Sequence, residues 1–291
     1  MKLKNKIAVV TGGTRGFGFT VAQKFVENGA SVVICGRDNT QVQSAVSKLI
    51  DARSDCNVGQ GIIGFPIDLS VYYGASLLVE KTMDIFGRID ILVNNAGVYG
   101  AKGSVDKVDL NEWISTIEIN LISVFKMCHY VLPSMKKQNS GKIINMSGGG
   151  ATAPLPYLSA YASSKAAVVR LTETIAAECD GYNIDINAVA PGALNTRFLD
   201  EIIIAGESVV GKPFYEKALI QKENGGTPLE LGAELCVFLA SADSDGISGK
   251  LISAPWDKWR ELPAHLNELM DSDIYTLRRI TAKERGKDWD V

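Results

Sequence analysis

Short apolar runs alternate along the chain with longer stretches of helical hydrophobic spacing. Val, Ile and Ala fill most positions of the runs, with little polar alternation. Strands that are buried on both faces have this composition, so the pattern predicts a parallel sheet covered by helices. The predicted strands are residues 7–11, 31–35, 61–66, 89–94, 142–146, 184–190 and 249–253, and the predicted helices are 17–29, 39–53, 71–87, 109–137, 159–179 and 228–241.

The regular alternation of strand and helix also predicts the topology. Right-handed crossovers through helices join parallel strands and place helices on both faces of one sheet. The sequence shows no internal repeat and no low-complexity linker. We therefore expect an α/β fold with a doubly wound parallel seven-stranded sheet in a single domain at residues 1–254, followed by a C-terminal extension at 255–291.

Residues 195–227 interrupt the alternation of strand and helix, because about thirty residues stand where a short connection is expected. Insertions of this length in compact domains are usually lids or binding loops, so the segment is predicted to be a substrate lid. Its apolar members favour an apolar substrate, whereas Lys212, Lys217 and Lys222 would suit a phosphate-bearing one. The apolar members are Ile202, Ile203, Ile204, Val209, Val210, Phe214 and Tyr215.

The C-terminal extension is rich in charged and aromatic residues. Such a tail packs either on its own domain or on a neighbouring subunit. Trp256 and Trp259 closely follow the last predicted strand, so they either face the cleft or an interface, or are simply buried. A further group of large apolar residues has helical spacing and predicts one short amphipathic helix. Its members are Leu262, Leu266, Leu269 and Met270.

Composition and charge exclude several classes of protein. A net charge of −3 and a 46% share of apolar residues give no case for a nucleic-acid or anionic-membrane partner. The sequence has neither the apolar segment of a signal peptide nor a run long enough to span a bilayer. Scattered cysteines without a C-x-x-C pair indicate buried thiols in a reducing compartment, so we expect a cytoplasmic protein without a bound metal. The cysteines are Cys35, Cys56, Cys128, Cys179 and Cys236.

A glycine-rich turn follows the first predicted strand and opens the first helix. Glycines permit a tight turn and a close approach of the backbone to a ligand, and a helix N-terminus presents free N–H groups to a pyrophosphate. In this position the turn predicts a dinucleotide-binding site. Its residues are Thr11, Gly12, Gly13, Thr14, Arg15, Gly16, Phe17 and Gly18.

The end of the second predicted strand indicates which dinucleotide is bound. A carboxylate there would bind the two ribose hydroxyls of NAD(H), but the chain has Gly36 and Arg37. Arg37 and Arg15 together would suit a 2′-phosphate, which guanidinium groups bind through charge-assisted hydrogen bonds. The sequence therefore predicts NADP(H) rather than NAD(H). In the alternative, Arg37 is a solvated loop residue and Asp38 turns towards the ribose.

Tyr161 and Lys165 are the candidate proton-transfer pair. A spacing of four places both side chains on one face of a helix, and a nearby positive charge is expected to lower the pKa of the phenol. The motif alone carries little weight, because a chain this long contains Tyr-x-x-x-Lys by chance about as often as not. The plain alternative is a packed tyrosine beside a lysine whose stem covers apolar surface.

Six motifs in order along the chain resemble the short-chain dehydrogenase/reductase family over residues 5 to 253. Their conjunction is far more specific than any one of them. The resemblance implies a Rossmann-type fold and reversible hydride transfer between a nicotinamide and a carbonyl or alcohol carbon, with Tyr161 as general acid/base. The motifs are Thr11-Gly-x-x-x-Gly-x-Gly18, Asp68-Leu69, Asn94-Asn-Ala-Gly97, Asn120, Tyr161-x-x-x-Lys165 and Pro191-Gly192-x-x-x-Thr196.

The resemblance assigns cofactor contacts to residues at the strand ends. Asp68 and Leu69 would bind the adenine. Asn94, Ala96 and Gly97 would line the adenosine ribose.

It also assigns contacts around the nicotinamide. Lys165 would bind the nicotinamide ribose, and Thr196, with Pro191 and Gly192 before it, would hold the carboxamide. Asn120 would hold a water that continues a proton relay from Lys165. In the alternative, Asn120 is a polar helix residue that bonds its own backbone.

Ser147 is where the chain departs from the family pattern. The family's catalytic serine stands about thirteen residues before the tyrosine, which in this chain is Gly148. Because side chains alternate along a strand, a shift of one residue turns a hydroxyl to the other face. Either the glycines let the backbone bulge so that the Ser147 hydroxyl still reaches the site, or the amides of Gly148 and Gly149, or a lid residue, polarise the carbonyl.

We therefore expect an NADP(H)-dependent oxidoreductase that interconverts a carbonyl and an alcohol on a small molecule. One alternative is a catalytically silent NADP-binding sensor. Another is a C=C double-bond reductase, for which a displaced serine matters less. The resemblance implies a homodimer or homotetramer formed through the helices at 109–137 and 159–179, whereas fold resemblance does not identify the substrate.

Overall fold

A computed structural model describes residues 1–53 and 59–289 of the chain. Within these residues, seven strands form one parallel sheet in the order β3-β2-β1-β4-β5-β6-β7. The predicted doubly wound α/β fold is confirmed, and each strand end lies within about two residues of its prediction. The strands are β1 Ile7–Thr11, β2 Ser31–Gly36, β3 Ile62–Pro66, β4 Ile91–Asn94, β5 Gly141–Met146, β6 Ile184–Ala190 and β7 Leu251–Ser253.

Helices cover both faces of the sheet. The helix predicted at 109–137 is confirmed, and it contains a π-helical segment, Glu118–Ile122, between α4 and α5. Residues 195–227, which the sequence predicts to be a lid and which are called the lid below, contain three helices, α7 to α9. The helices are α1 Gly16–Glu27, α2 Asn39–Asp51, α3 Gly74–Phe86, α4 Leu110–Ile117, α5 Ser123–Gln138, α6 Ser159–Glu178, α7 Arg197–Ala205, α8 Glu207–Val210, α9 Lys212–Asn224, α10 Leu229–Ala240 and α11 Leu266–Met270.

Alternation within each central strand supplies an apolar core on both faces of the sheet. Val9 in β1 stands beside Val33 in β2 and Leu92 in β4, and all three belong to a buried cluster that includes residues of α3, α5 and α6. The residue that follows each of them turns to the opposite face and packs against α1 and α10. These side chains are fully buried, and each stabilises the fold by about 1.5–3 kcal/mol relative to exposure.

The position of β1 between β2 and β4 creates the switch point of the sheet. The chain winds outwards in one direction from β1 to β3 and in the other direction from β4 to β7. Open α/β sheets bind ligands outside the carboxyl ends of the strands at such a point. The loops after β1 and β4 therefore frame the place where a ligand is expected.

The C-terminal extension packs on its own domain. Trp259, Leu262 and Leu269 are buried in the core cluster that includes α10, whereas Met270 is 40% exposed. A 3-10 helix, Trp259–His265, precedes α11, so the predicted short helix begins only at Leu266. Further along, the Tyr275 carbonyl accepts a hydrogen bond of 2.7 Å from the Leu251 N–H, which covers the outer edge of β7.

Four of the cysteines lie in the described residues, and all four are buried free thiols, as predicted: Cys35, Cys128, Cys179 and Cys236. Burial raises the pKa of Cys35 and of Cys128 to about 12, so neither is a nucleophile near neutral pH. Cys56 lies outside the described residues. None of the helices in the described part of the chain is long and apolar enough to cross a membrane.

Candidate active site

A cavity of about 690 Å³ lies along the carboxyl ends of the strands. The loops after β1 to β6 form its wall together with the lid. Thr11, Asn94 and Asn120 are predicted site residues that this wall does not include. The predicted residues on the wall are Gly12, Thr14, Arg15, Gly16, Phe17, Gly18, Arg37, Asp68, Leu69, Ala96, Gly97, Ser147, Tyr161, Lys165, Pro191, Gly192 and Thr196.

The glycine-rich turn has the geometry of an anion cradle. Gly12 and Gly16 have φ angles of +64° and +54°, a region that favours glycine. A Cβ added to Gly18 would stand 2.4 Å from the Gly12 carbonyl oxygen, so the backbone leaves no space for a side chain. Helix α1 begins without a side-chain cap. Its first N–H groups are therefore available to an anion such as a pyrophosphate.

Thr11 and Asn94, which are predicted to contact the cofactor, are not on the cavity wall. Thr11 Oγ1 accepts the N–H groups of Asn95 at 2.9 Å and Ala96 at 3.0 Å, and so ties β1 to the loop after β4. Asn94 is buried and donates to Asn145 Oδ1 at 2.9 Å. The next residue, Asn95, is the asparagine on the cavity wall. Neighbouring residues along a strand turn to opposite faces, which explains why Asn95 rather than Asn94 lies on the cavity wall.

Asn120 stands in the π-helical segment and positions the loop after β4. Its Oδ1 accepts the Val98 N–H at 2.9 Å, and its Nδ2 donates to the Val98 carbonyl at 2.8 Å and to Ser164 Oγ at 3.2 Å. The side chain is fully buried. It therefore does not bond its own helix, and its amide is already used in fixing the residue next to Gly97.

Three arginines surround one part of the cavity and form what we call the arginine cluster: Arg15, Arg37 and Arg197. Partial burial and the charges of Arg197 and Arg37 lower the pKa of Arg15. Arg197 pairs with Glu201 at 3.0 Å, whereas Arg15 and Arg37 form no salt bridge with any described residue. The cluster thus holds more positive than negative charge and suits a multiply charged anion.

Asp38, the alternative ligand for the ribose, lies on the cavity wall, but its side chain serves as a helix cap. It caps α2, and its carboxylate accepts the Gln41 N–H at 2.8 Å. Such N-terminal caps typically stabilise a helix by about 1 kcal/mol. The glycine turn, the uncapped helix and the unpaired arginines together fit a phosphate-bearing dinucleotide.

Lys165 and Tyr161 both reach the cavity from α6. Lys165 is 5% exposed, and its Nζ donates to the Met146 carbonyl at 2.8 Å. It lies 5.7 Å from the centroid of the Tyr161 ring. Burial lowers the pKa of Lys165 to about 8.

The pKa of Tyr161 moves against the expectation drawn from the sequence. Burial first, and then the neighbouring Tyr99, raise the pKa of Tyr161 above its usual value. The expected lowering by Lys165 is therefore wrong for this arrangement. The ammonium points to a backbone carbonyl rather than to the phenol oxygen, so desolvation decides the direction.

Ser147 and Gly148 follow β5 at the wall of the cavity. Ser147 Oγ is buried and has no hydrogen-bond partner among the described residues. A Cβ added to Gly148 would stand only 2.3 Å from Tyr161 Oη. The phenol hydroxyl therefore lies over the backbone of Gly148, and the Ser147 hydroxyl does not hydrogen-bond it.

The lid packs on the tyrosine through an aromatic group that sequence reasoning missed. The ring of Tyr99 lies 4.7 Å from that of Tyr161 and 4.8 Å from that of Phe198 at the start of the lid. Burial and the charge of Glu201 raise the pKa of Tyr99 to about 12. The place of Tyr99 just after the Asn94-to-Gly97 motif was its only sequence signal. Arg197, directly after Thr196, was missed in the same way.

The two tryptophans that follow the last strand have different environments, and each matches one of the alternatives that the sequence left open. Trp259 is buried, packs 5.3 Å from the ring of Phe238 and donates to the Ala254 carbonyl at 3.3 Å. Trp256 is 84% exposed and lies on the cavity wall. The first is a core residue, and the second is available to a ligand.

Comparison with known proteins agrees with this geometry. A family model of short chain dehydrogenases matches residues 6–204. A 3alpha-hydroxysteroid dehydrogenase of Mediterraneibacter gnavus is 34% identical over 253 residues, which cover 87% of this chain and 96% of that protein. An NADP-dependent (R)-specific alcohol dehydrogenase of Lentilactobacillus kefiri is 34% identical over 252 residues, covering 85% and 94%. Among solved structures, a levodione reductase has a TM-score of 0.78 at 26% identity, covering 86% and 96%.

The matched region contains strands β1 to β6 and every predicted site residue from the glycine turn to Thr196. The match to the family model ends within the lid, at residue 204. The sheet order, the cavity at the switch point and these relatives all agree. The chain therefore belongs to the short-chain dehydrogenase family and is an NAD(P)-dependent oxidoreductase.

Proposed function

We propose that the protein is an NADP(H)-dependent oxidoreductase that interconverts a carbonyl and an alcohol, with Tyr161 as the general acid/base. The observation that carries the proposal is that Tyr161 and the buried Lys165 share one cavity with an uncapped glycine turn. A proton donor and a site for a phosphate-bearing dinucleotide are thus brought together. Bound there, the nicotinamide would supply or accept the hydride at the substrate carbon.

Tyr161 moves the proton. In reduction it donates its phenolic proton to the carbonyl oxygen, and in oxidation it takes the proton back from the alcohol. Its raised pKa keeps the phenol protonated near neutral pH, which suits the acid role. Once the proton has left, the Lys165 ammonium stabilises the phenolate, because it lies 5.7 Å from the ring centroid in a buried site.

The preference for NADP(H) is supported by the arginine cluster. Arg15 and Arg37 form no salt bridge with any residue in the described part of the chain, and Asp38 is occupied as a helix cap. Guanidinium groups bind phosphate bidentately, so this charge favours a cofactor with a 2′-phosphate. The relative from Lentilactobacillus kefiri, whose name states NADP dependence, agrees with this assignment.

The substrate is proposed to be an apolar carbonyl compound. The lid packs around Tyr161 with Leu199 and Ile202, and the aromatic rings of Tyr99 and Phe198 lie beside them. The lysines that would favour a phosphate-bearing substrate are mostly paired. Lys222 pairs with Asp200 at 2.7 Å and Lys212 with Glu216 at 3.8 Å. Of these three lysines, Lys217 alone lies on the cavity wall. The 3alpha-hydroxysteroid dehydrogenase among the relatives has an apolar substrate in its name.

A spectrophotometric assay tests the proposal. NADPH oxidation is followed at a fixed protein concentration with a panel of apolar ketones and aldehydes, phosphate-bearing carbonyls and conjugated enones. We expect turnover with at least one apolar ketone or aldehyde. Binding of NADPH without its oxidation by any member of the panel would instead favour a catalytically silent sensor, and reduction of the enone C=C bond alone would favour a double-bond reductase.

A further inference from the structure

The hydroxyl of Tyr161 lies so close to Gly148 that no side chain fits between them. A Cβ on Gly148 would stand 2.3 Å from Tyr161 Oη and 3.3 Å from Cζ, whereas non-bonded atoms pack at about 3.5–4 Å. The tyrosine ring is itself buried and lies 4.7 Å from the ring of Tyr99. Any larger residue in place of Gly148 would therefore move the phenol away from its present position.

The backbone of Gly148 offers a hydrogen-bond donor at the same place. Its N–H has no acceptor among the described residues, and the residue lies on the cavity wall. The groups on either side are fixed, because the Ser147 N–H bonds the Val189 carbonyl at 2.8 Å and the Gly148 carbonyl accepts the Ala151 N–H at 3.2 Å. A donor that is held in this way and has no partner within the protein is available to a ligand that enters the cavity.

The neighbouring Ser147 hydroxyl is not placed to donate a hydrogen bond to a substrate oxygen. Ser147 Oγ is inaccessible to solvent and has no hydrogen-bond partner in the described structure. A substrate oxygen could reach it only after the Ser147 side chain or its surroundings had moved. The Gly148 N–H and the Tyr161 hydroxyl are the two neighbouring donors that need no such change.

We propose that Gly148 replaces the family's serine in two ways: its N–H hydrogen-bonds the substrate carbonyl oxygen, and its missing side chain makes room for the Tyr161 hydroxyl. The proposal rests on the proposed carbonyl chemistry. The carbonyl oxygen accepts from the phenol and from the amide, each at about 2.7–3.1 Å. Tyr161 alone transfers a proton, while the amide keeps its hydrogen and stabilises the negative charge that develops on the oxygen.

Restoring the family's residue is therefore expected to harm this enzyme. Gly148→Ser should lower kcat at least 100-fold, because the new side chain displaces the phenol, while the Kd for NADPH stays within threefold of wild type. Gly59→Ser is the matched control, since it makes the same substitution at an exposed residue that is not on the cavity wall, and a Cβ on Gly59 meets nothing within 4 Å. It should retain kcat within threefold. A Gly148→Ser enzyme that is as active as the Gly59→Ser control would overturn the proposal.

The donor role is tested without adding a side chain. Incorporating glycolic acid at position 148 converts the amide to an ester and removes only the N–H. Loss of one such donor typically costs 10²–10³ in kcat, so we expect a fall of about that size with an unchanged Kd for NADPH. An ester variant with the kcat of wild type would refute the donor role. A 100-fold loss in Ser147→Ala, with the ester variant unaffected, would give the role to the hydroxyl.

A crystal structure of Gly148→Ser separates this proposal from the proposed function. We expect Tyr161 Oη to move by about 1 Å or more, since the contact at 2.3 Å cannot be kept. An unmoved tyrosine would contradict the steric part whatever the activity. A wild-type protein that reduces no carbonyl would remove the proposed function and the donor role together, and would leave the steric part to be decided by this structure.

Discussion

Replacing Arg37 by glutamine should weaken NADPH binding selectively. The substitution removes one of two arginines in the cluster that form no salt bridge with any described residue. A hydrogen bond to a charged group contributes about 1.5–3 kcal/mol, and since Arg37 is exposed the lower value applies. At about 1.4 kcal/mol per factor of ten, the Kd for NADPH should rise about tenfold.

The assay is a fluorescence titration of wild-type and variant protein with NADPH and, separately, with NADH. The Kd for NADH should stay within twofold, because NADH has no 2′-phosphate for Arg37 to bind. Lys107→Gln is a suitable control, since it removes an equal charge from an exposed loop residue that is not on the cavity wall. Raising the salt concentration should narrow the gap between wild type and Arg37→Gln, because exposed charges are screened.

Two results would refute this reasoning. Equal weakening of NADPH and NADH would mean that Arg37 supports the fold of the site rather than a phosphate. Tighter binding of NADH than of NADPH by the wild-type protein would mean that the arginine cluster does not select the cofactor at all.

Two further predictions concern buried polar groups. Burial lowers the pKa of Lys165 to about 8, so the ammonium is lost as pH rises through that value. The kcat for reduction should therefore fall above about pH 8. A kcat that stays constant from pH 7 to 9.5 would contradict this role of Lys165. Asn120→Ala removes the hydrogen-bond partners of both backbone groups of Val98. The free energy of unfolding, measured by urea denaturation, should therefore fall by about 1–3 kcal/mol. A fall of less than about 0.5 kcal/mol would contradict this role of Asn120.

The sheet could be predicted because its strands are nearly pure apolar runs. A strand such as β1, which is buried on both faces, has no other plausible environment in a chain of this composition. The common location of the site motifs could also be predicted, because parallel strands bring their carboxyl ends to one edge of the sheet. What the sequence could not fix was the direction of single side chains at those ends. Asn94 and Asn95 illustrate this, because only the fold shows which of them turns to the cavity.

The electrostatics of the tyrosine were less predictable for a different reason. The sequence shows Lys165 one turn from Tyr161, but it does not show that the lysine donates to the Met146 carbonyl. Nor does it show that Tyr99 packs on the phenol. Both facts depend on contacts between distant parts of the chain. The sequence likewise shows that Ser147 stands one residue away from the family's serine position, but it does not show that Ser147 Oγ is buried.

The most direct test of the central claim is the kcat of Tyr161→Phe in NADPH-dependent carbonyl reduction, measured beside the Kd for NADPH. Loss of a general acid usually costs 10²–10⁴ in rate, so kcat should fall by at least 100-fold. Since Phe retains the ring that packs on Tyr99, the Kd for NADPH should stay within threefold. A Tyr161→Phe enzyme that keeps kcat within a few-fold of wild type would contradict the account.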